Sequence, residues 1–564
     1  MLNLVISSFA STIIILSSGI LFQYLFLKND TGKLKLFESG IFGCIFLAFI
    51  SLFLNFFFPI NKLIGNIILV VSLIIFLLIF YKNRNKKELV LIIASVTIIT
   101  ILLVFSSNIY RPDAGLYHFP YISLLHEDKI NLGISNIHHR FGHISIMQYL
   151  SAIFHNNIFK LEFFNLPLAS LFSFYFLLLI KICFTNFNTN QNNKIFIFFI
   201  TIFSFYAFGR YSNYGNDAPA HLFFFLSIIY ILDTKNNNFY DLDNFFKILL
   251  FTIFCFLNKN FMIITLILPI IYFFKSEKIK LFFSLLLSKK NFFCYFFLIC
   301  WILKNLLSSG CVLYPISSTC IKSLSHTDIE KTNSVALEGK VWAKSINNIK
   351  NTNISRQDYT KNFNWFNNWS KTHFKIIKEK IIPFLIFLII YFIIYFFISL
   401  KNRNYKKIEK NYLKILITFL FFCLFWFLNF PLYRFGMSFI VITIICVCCI
   451  LLNIINHKNT DKLKRVHIFF IALGILGLFI KNITRVYNVD NKNYANYPWP
   501  KIYTLSDQGQ NTMQTKDRIF DENNNFIYYY SNIECMYGNA PCSNYLYTNI
   551  KLKRKYSYKI FYVN

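Results

Sequence analysis

The sequence predicts an all-α polytopic membrane protein of about 14 transmembrane helices, with a small C-terminal subdomain outside the membrane. Three observations carry this reading. Of 564 residues, 56% are hydrophobic, 20% are aromatic and only 15% are charged, for a mean hydropathy of +0.49. The charges sit between apolar runs about as long as a bilayer core is thick, roughly 20 residues. Those runs are too long for a barrel, whose strands alternate over about 10 residues. A soluble chain of this length would divide into several domains and carry far more charge.

Apolar runs place spans near 2–27, 36–59, 63–81, 88–107, 162–183, 194–209, 217–233, 244–257, 261–275, 291–308, 380–400, 412–429, 436–454 and 466–482. The pair around 244–275 is short for a crossing. Residues 1–27 lack the basic start and small-residue cleavage site of a signal peptide and read as a retained first span. The loops KNRNKK (82–87), KSEKIK (275–280), KNRNYKKIEK (401–410) and KNTDKLKR (458–465) are all basic, and alternation puts them on one side. By the positive-inside rule that side is the cytoplasm. Both termini and the loops 108–161, 210–216, 309–379 and 430–435 then face outward. The chain divides into an N-terminal three-span unit (1–87), a module with a large outer loop (88–308), an outer loop (309–379), C-terminal spans (380–482) and an outer tail (483–564).

The net charge of +32 does not indicate a nucleic-acid partner, because the Lys and Arg residues lie in short loops between spans where they act as a topology signal. The partners expected from composition are membrane lipids. No P-loop, Gly-rich dinucleotide turn or HExxH motif occurs. No internal repeat or matched pair of broken helices points to a secondary transporter.

Chemistry concentrates in Tyr110–His155, the one long polar interval of the first half. Six of the 11 histidines fall between His118 and His155, and Asp113 opens the segment just past a span. Asp113 reads either as the cap of a helix starting near Ala114 or as a functional carboxylate at membrane depth, where ionisable groups are costly. His118 follows within about a turn. A second outer stretch, SNYGNDAPAH (212–221), has the same grammar, with Arg210, Asp217 and His221. Asp217 fits a helix cap with Pro219 in the first turn, but a cap leaves His221 unexplained, so the two Asp–His pairs read as one polar site.

His138, His139, Arg140 and His143 form a dense cationic patch. His139 and His143 have a spacing that could bind metal on one helical face, but Arg140 would repel a metal and assist a phosphate, with a solvated loop as the other reading. Lys304 near the end of a span either snorkels to the surface or binds phosphate. Arg434, in a short outer turn, is an interface anchor or a bidentate phosphate clamp. Within 145–156, SIMQYLSAIFHN is apolar but too short to cross, and one or two amphipathic helices along the interface are expected.

Nine of the 13 cysteines lie in or beside spans as small apolar residues. The other four sit in outer segments, where an oxidising compartment favours the disulfides Cys311–Cys320 and Cys535–Cys542. Zinc is the rival for each pair, with no second CxxC motif nearby.

Together, Asp113 in RPDAGLYHFPYI and Asp217 in YSNYGNDAPAHLFFF, set among many spans with short helices after the first acidic loop, resemble the GT-C class of integral membrane glycosyltransferases. DAGLYHFPYI, NIHHRFGHISIMQYLSAIF, KNLLSSGCVLYP, YRFG and the C-terminal APC are also similar to a group of uncharacterised bacterial multi-spanning proteins. The GT-C resemblance implies a bacterial inner-membrane enzyme that takes sugar from a polyprenyl-phosphate donor to a glycan, lipid or protein acceptor outside. Asp113 would then be base or ligand to a divalent cation, with His118 and Asp217 beside it. His138, His139, Arg140, Lys304 and Arg434 would meet the donor phosphate. In that class the acidic loop follows the first span and carries paired acids, whereas here three spans come before span 4 and the pair is reduced to the single Asp113 at the head of the loop. An added N-terminal unit of three spans reconciles the order. A polysaccharide polymerase or ligase, and a non-catalytic assembly or transport protein, are the alternatives.

The topology is directly testable. Asp113, Cys535 and Cys542 are expected outside, with Lys406 and Lys462 inside. Thiol labelling or reporter fusions that put positions 113 and 406 on one side would remove both the orientation and the proposed chemistry.

Overall fold

The computed structural model describes residues 2–27, 36–82, 85–104, 113–159, 163–184, 191–209, 217–233, 241–274, 278–345, 354–399, 410–454, 460–487, 517–521, 524–532 and 534–563. It is mainly helical. The helices are α1 (Leu2–Phe26), α2 (Leu36–Asn55), α3 (Lys62–Lys82), α4 (Lys86–Val104), α5 (Phe119–Glu127), α6 (Ile146–Ala152), α7 (Leu166–Phe184), α8 (Gln191–Ala207), α9 (Asp217–Asp233) and α10 (Leu242–Asn258). There follow α11 (Leu268–Phe273), α12 (Ile279–Leu286), α13 (Phe292–Ser309), α14 (Ile329–Ser345), α15 (Arg356–Thr360), α16 (Phe366–Ser399), α17 (Lys410–Asn429), α18 (Tyr433–Ile454) and α19 (Thr460–Tyr487).

Ten of these helices are long and apolar enough to cross a membrane: α1–α4, α7, α13 and α16–α19. Backbone polar groups in lipid have no water to bond, so a span must satisfy them internally as a helix. The other four expected spans are shorter. Helices α8, α9 and α10 have 17 residues each, about 26 Å of rise against a core of about 30 Å. The segment expected near 261–275 is not one α-helix. It starts as a 3₁₀ stretch, Asn260–Ile267, and only then becomes α11. The outer loop expected to end at 379 ends earlier, because α16 begins at Phe366 and runs 34 residues.

Helices α1 and α2 cross with their backbones in contact. A Cβ on Gly19 would fall inside the Ser39 carbonyl, and one on Gly43 inside that of Ile15. Small residues permit such approach where lipid supplies no hydrophobic drive between helices. Hydroxyls add polar contacts nearby, Ser11 to Ser170 at 3.1 Å and Thr100 to Ser173 at 2.9 Å. At one end of the bundle Lys247 pairs with Glu38 at 3.0 Å, both buried, and the Tyr230 hydroxyl donates to the same carboxylate. The spans are therefore less free of charge at their ends than hydropathy implied.

Among the described residues of the loop after α4, the expected amphipathic interface helices are not found. The residues of α6 are buried throughout, and those of α5 up to His126. Both helices pack on each other, with α6 also against α2 and α7. The tail accounts for part of this burial. It forms β1 (Asp517–Phe520), β2 (Phe526–Tyr530) and β3 (Cys542–Ser543) in one sheet, and a hairpin of β4 (Ile550–Lys555) and β5 (Tyr558–Val563). Strand β2 is antiparallel to β1 and parallel to β3. The tail is docked, not separate. Met536 N donates to Gly115 O at 2.8 Å, Leu132 N to Lys559 O at 2.9 Å, and Ser543 Oγ to Ile137 O at 2.9 Å. Both expected disulfides, Cys311–Cys320 and Cys535–Cys542, are formed.

The α1–α2 crossing yields a stability prediction. Gly43→Leu must force the backbones apart and is expected to cost about 1–3 kcal/mol or more. Gly339→Ala, with nothing within 4 Å of the added Cβ, should be neutral or gain up to about 1 kcal/mol. Thermal unfolding in detergent compares the two, and equal midpoints would contradict the close crossing.

Candidate functional site

Asp113 directly precedes a five-residue π-helical turn, Ala114–His118, which runs into α5. Single π turns are rare and often mark functional sites. The Asp113 carboxylate makes no capping hydrogen bond and is exposed. The helix-cap reading of this residue is thereby removed.

His118 is held through a chain that begins in the backbone. Ser145 caps α6, and the Gln148 Oε1 accepts from the Ser145 N–H at 3.1 Å in a capping box. That bond fixes the amide orientation, so Gln148 Nε2 donates to His118 Nδ1, at 2.6 Å. Burial depresses the His118 pKa to about 4, although Asp113 pulls the other way. The ring is thus neutral near pH 7 with its proton on Nε2. It is placed to donate a hydrogen bond, not to accept a proton at Nδ1.

Asp217 is the first residue of α9, but its carboxylate is not spent on its own helix. Lys259, in the turn after α10, pairs with it, and Arg434 Nε lies 3.7 Å from its second oxygen. An Asp engaged by two cations is a poor proton acceptor, so the expectation of a second catalytic Asp changes to one of an anchor. His221 is also structural. Its Nε2 donates to the Arg434 carbonyl at 2.8 Å, leaving Nδ1 to accept from Ser438 Oγ at 2.8 Å. Arg434 stacks its guanidinium on Trp342 at 4.8 Å, with its side chain half exposed. Arg210 lies outside the described residues.

The histidine patch is not cationic. Burial, followed by the charge of Arg140 and neighbouring histidines, holds His138 and His143 well below the usual histidine range and His139 at about 3. His138 has both nitrogens occupied, accepting from Arg140 N at 3.1 Å and donating to Asn544 Oδ1 at 3.1 Å. His139 is packed beside His138 and Tyr545, with ring centroids 5.2 and 5.1 Å away. Within the patch the positive charge is that of Arg140, whose guanidinium lies 5.4 Å from the Tyr117 ring. Lys304 does not snorkel; it is 0% exposed.

The two acidic stretches come together. Tyr117 lies in the electrostatic field of Asp113, Arg140, Arg434 and Asp217, and His118 in that of Asp113, Arg140, Asp217 and Lys259. The loop between α4 and α7, the start of α9, the turn after α10 and the start of α18 therefore contribute to one polar region. A small cavity of about 10 Å³, lined by Asn55, Tyr121, Asp128 and Ser308, lies elsewhere, toward the far end of α5. Among the described residues no three His, Cys, Asp or Glu side chains converge to hold a metal ion.

Three contributors escaped the sequence reading. Lys259 is a lone cation between two apolar runs, a signal that was present but isolated. Gln148 acts only through its amide. Glu534 comes from the tail, where the position of Gly115 leaves room for its carboxylate: a Cβ on Gly115 would overlap Glu534 Oε2 and Met536 Sδ. The Cys535–Cys542 loop holds this contact, with Ser123 Oγ donating to Gly538 O and Ala540 N to Glu127 Oε2 at 3.0 Å.

Residues 1–441 match the family model described as Domain of unknown function (DUF8201), and the chain belongs to that family. The match includes Asp113, Arg140, Asp217, Lys259, Lys304 and Arg434, and excludes the tail. Searches among curated proteins and among solved structures gave no match.

Glu534 sets a pH dependence for tail docking. Burial raises its pKa from 4.5 to about 7. Its contribution to the docked state is fully present below about pH 4.5, and is lost as pH rises through about 7. Hydrogen-exchange protection over 534–544, taken relative to the intrinsic exchange rate at each pH, should fall across that interval in the wild type. In Glu534→Gln the pH step should vanish, and a step that persists would assign the effect to another group.

Proposed function

We propose that the protein is a membrane glycosyltransferase of GT-C type, working at the extracytoplasmic face of a bacterial inner membrane with all fourteen apolar segments crossing the bilayer. It would move a sugar from a polyprenyl-phosphate donor to a glycan, lipid or protein acceptor. One observation carries this reading. Asp113 keeps an uncapped, exposed carboxylate in a region where Arg140, Lys259 and Arg434 converge from separate outer segments.

The chemistry asks for that combination. The acceptor oxygen attacks the anomeric carbon and forms the new C–O bond. The bond from that carbon to the phosphate oxygen breaks, and its electron pair stays on the phosphate. The acceptor proton goes to Asp113, which needs hydrogen-bond reach of the hydroxyl. Arg140 and Arg434 stabilise the negative charge that gathers on the leaving phosphate, as fixed cations do in a water-poor cleft. The Nε2–H of neutral His118 adds a donor. A single inverting displacement uses one base, whereas a retaining glycosidase uses two carboxylates about 5 Å apart. With Asp217 held by Lys259 and Arg434, the inverting course is favoured. His138, with both nitrogens engaged, shapes the loop in this scheme, and His139 packs beside it and Tyr545.

Asp113→Asn tests the assignment, because it keeps the shape and removes the proton affinity. Loss of a positioned general base costs about 10²–10⁴ in rate. Sugar incorporation into surface glycan should fall by that factor at normal protein abundance, with unused lipid-linked donor accumulating. Near-normal transfer would exclude Asp113 as base. Asp217→Asn should instead lower thermal stability, since it leaves two cations without their counter-charge.

A further inference from the structure

Lys304 presents a physical problem that the glycosyl-transfer reading does not by itself resolve. Its side chain is fully buried in the last turns of α13, with Asn305 Oδ1 at 3.4 Å and the Trp301 ring 4.7 Å from its ammonium. Neither neighbour carries negative charge. A buried ammonium without a counter-ion costs several kcal/mol. Two more polar groups are buried without a partner in this neighbourhood, the Trp301 indole Nε1 and His143 Nδ1. The charged groups acting on His143 are Arg140, Lys304 and Lys259, all positive. Asp217 is already engaged by Lys259 and Arg434. A trapped water would serve the unpaired nitrogens but not the charge. A tetrahedral polyoxygen anion serves both, because phosphate oxygens accept several charge-assisted hydrogen bonds at once.

We propose that Lys304, Trp301 and His143 form a buried anion pocket beneath the outer loop that receives a phosphate group, with Arg140 and Lys259 at its edge. That the phosphate belongs to a prenyl-linked sugar rests on the proposed glycosyl transfer; the pocket itself does not. On this assignment the donor phosphate sits against α13, below the loop, and the histidines His138 and His139 are walls of the site.

The test uses the full-length protein in a maltoside detergent, which carries no phosphate. Farnesyl phosphate, inorganic phosphate, pyrophosphate, phosphatidylglycerol and acetate are titrated, and the thermal midpoint and affinity are read. Saturable stabilisation by farnesyl phosphate, at least about tenfold tighter than by phosphatidylglycerol, would support a prenyl-phosphate site. Stabilisation by inorganic phosphate or pyrophosphate alone would support a pocket filled by the free ion. Lys304→Met should weaken binding by about thirtyfold or more while its ligand-free midpoint stays at or above that of the wild type, because it removes a buried charge. Trp301→Phe, which keeps the ring and loses the N–H, should weaken binding several-fold and guards against a Lys304 variant that fails to fold. Unchanged phosphate affinity in both variants, no phosphate probe binding the wild type, or acetate or phosphatidylglycerol binding as tightly as every phosphate probe, would overturn the pocket. If Lys304→Met loses phosphate while cells lacking the protein incorporate sugar and consume lipid-linked donor normally, the pocket stands and the glycosyl-transfer reading falls.

Discussion

An ionisable side chain at the end of an apolar helix must meet a counter-charge or remain in water, and that constraint locks the middle of this molecule. Helices α9 and α10 are pinned at both ends. At one end Lys247 of α10 and Tyr230 of α9 share Glu38 of α2; at the other, Asp217 opens α9 and pairs with Lys259 just past α10. Arg434 joins the second cluster and brings in α18. His221 then fastens the backbone of Arg434 while Asp217 and Trp342 hold its side chain. Removing one partner of a buried pair typically costs about 3–5 kcal/mol, because the other charge is left behind. This frame is what sets Lys259 and Arg434 at fixed positions facing the outer loop.

Most of the helical architecture was legible from hydropathy, because the need to satisfy backbone groups in lipid leaves long apolar runs in the sequence. The four shorter segments were visible as runs but not as 17-residue or 3₁₀ elements, since hydropathy does not report where a helix starts. The disulfides were legible from two pairs of cysteines at short spacing outside the apolar runs. The docking of the tail was not. It depends on contacts such as Met536 to Gly115 and Asn544 to His138, more than 400 residues apart, for which a single sequence carries no sign. That docking is also why the histidine patch misled. His138, His139, Arg140 and His143 look cationic as a string, but Tyr545 and Asn544 cover the patch, and burial keeps the rings neutral. Lys304 misled in the same way. A lysine near a helix end normally reaches the surface, and only the packing of the loop over α13 reveals that this one does not.

Asp113 and Asp217 show how far a shared sequence pattern can diverge. Each follows an arginine, opens a helical segment beyond a span and has a histidine four or five residues on. Both invite the helix-cap explanation, which fails for each of them in a different way. Asp217 is consumed by Lys259 and Arg434, and its histidine by Ser438 and a carbonyl. Asp113 has no capping bond, and its histidine is neutral with Nδ1 accepting from Gln148. One pair is saturated and the other is left with capacity to spare.

That asymmetry gives the region a direction. The saturated pair fixes cations without competing for a proton, and the unsaturated pair retains a carboxylate beside a ring whose Nε2–H is its remaining donor. Proton acceptance and anion stabilisation oppose one another at a single point, since a cation close enough to steady a phosphate also lowers the basicity of a nearby carboxylate. In the proposed transfer, dividing the tasks between Asp113 on the loop and the cations tied to Asp217 would relieve that conflict. The neutral histidines serve the same end: a ring that carried charge beside Arg140 would add repulsion within the loop, whereas a neutral one packs against Tyr545 and leaves the field at the site to Arg140, Lys259, Lys304 and Arg434.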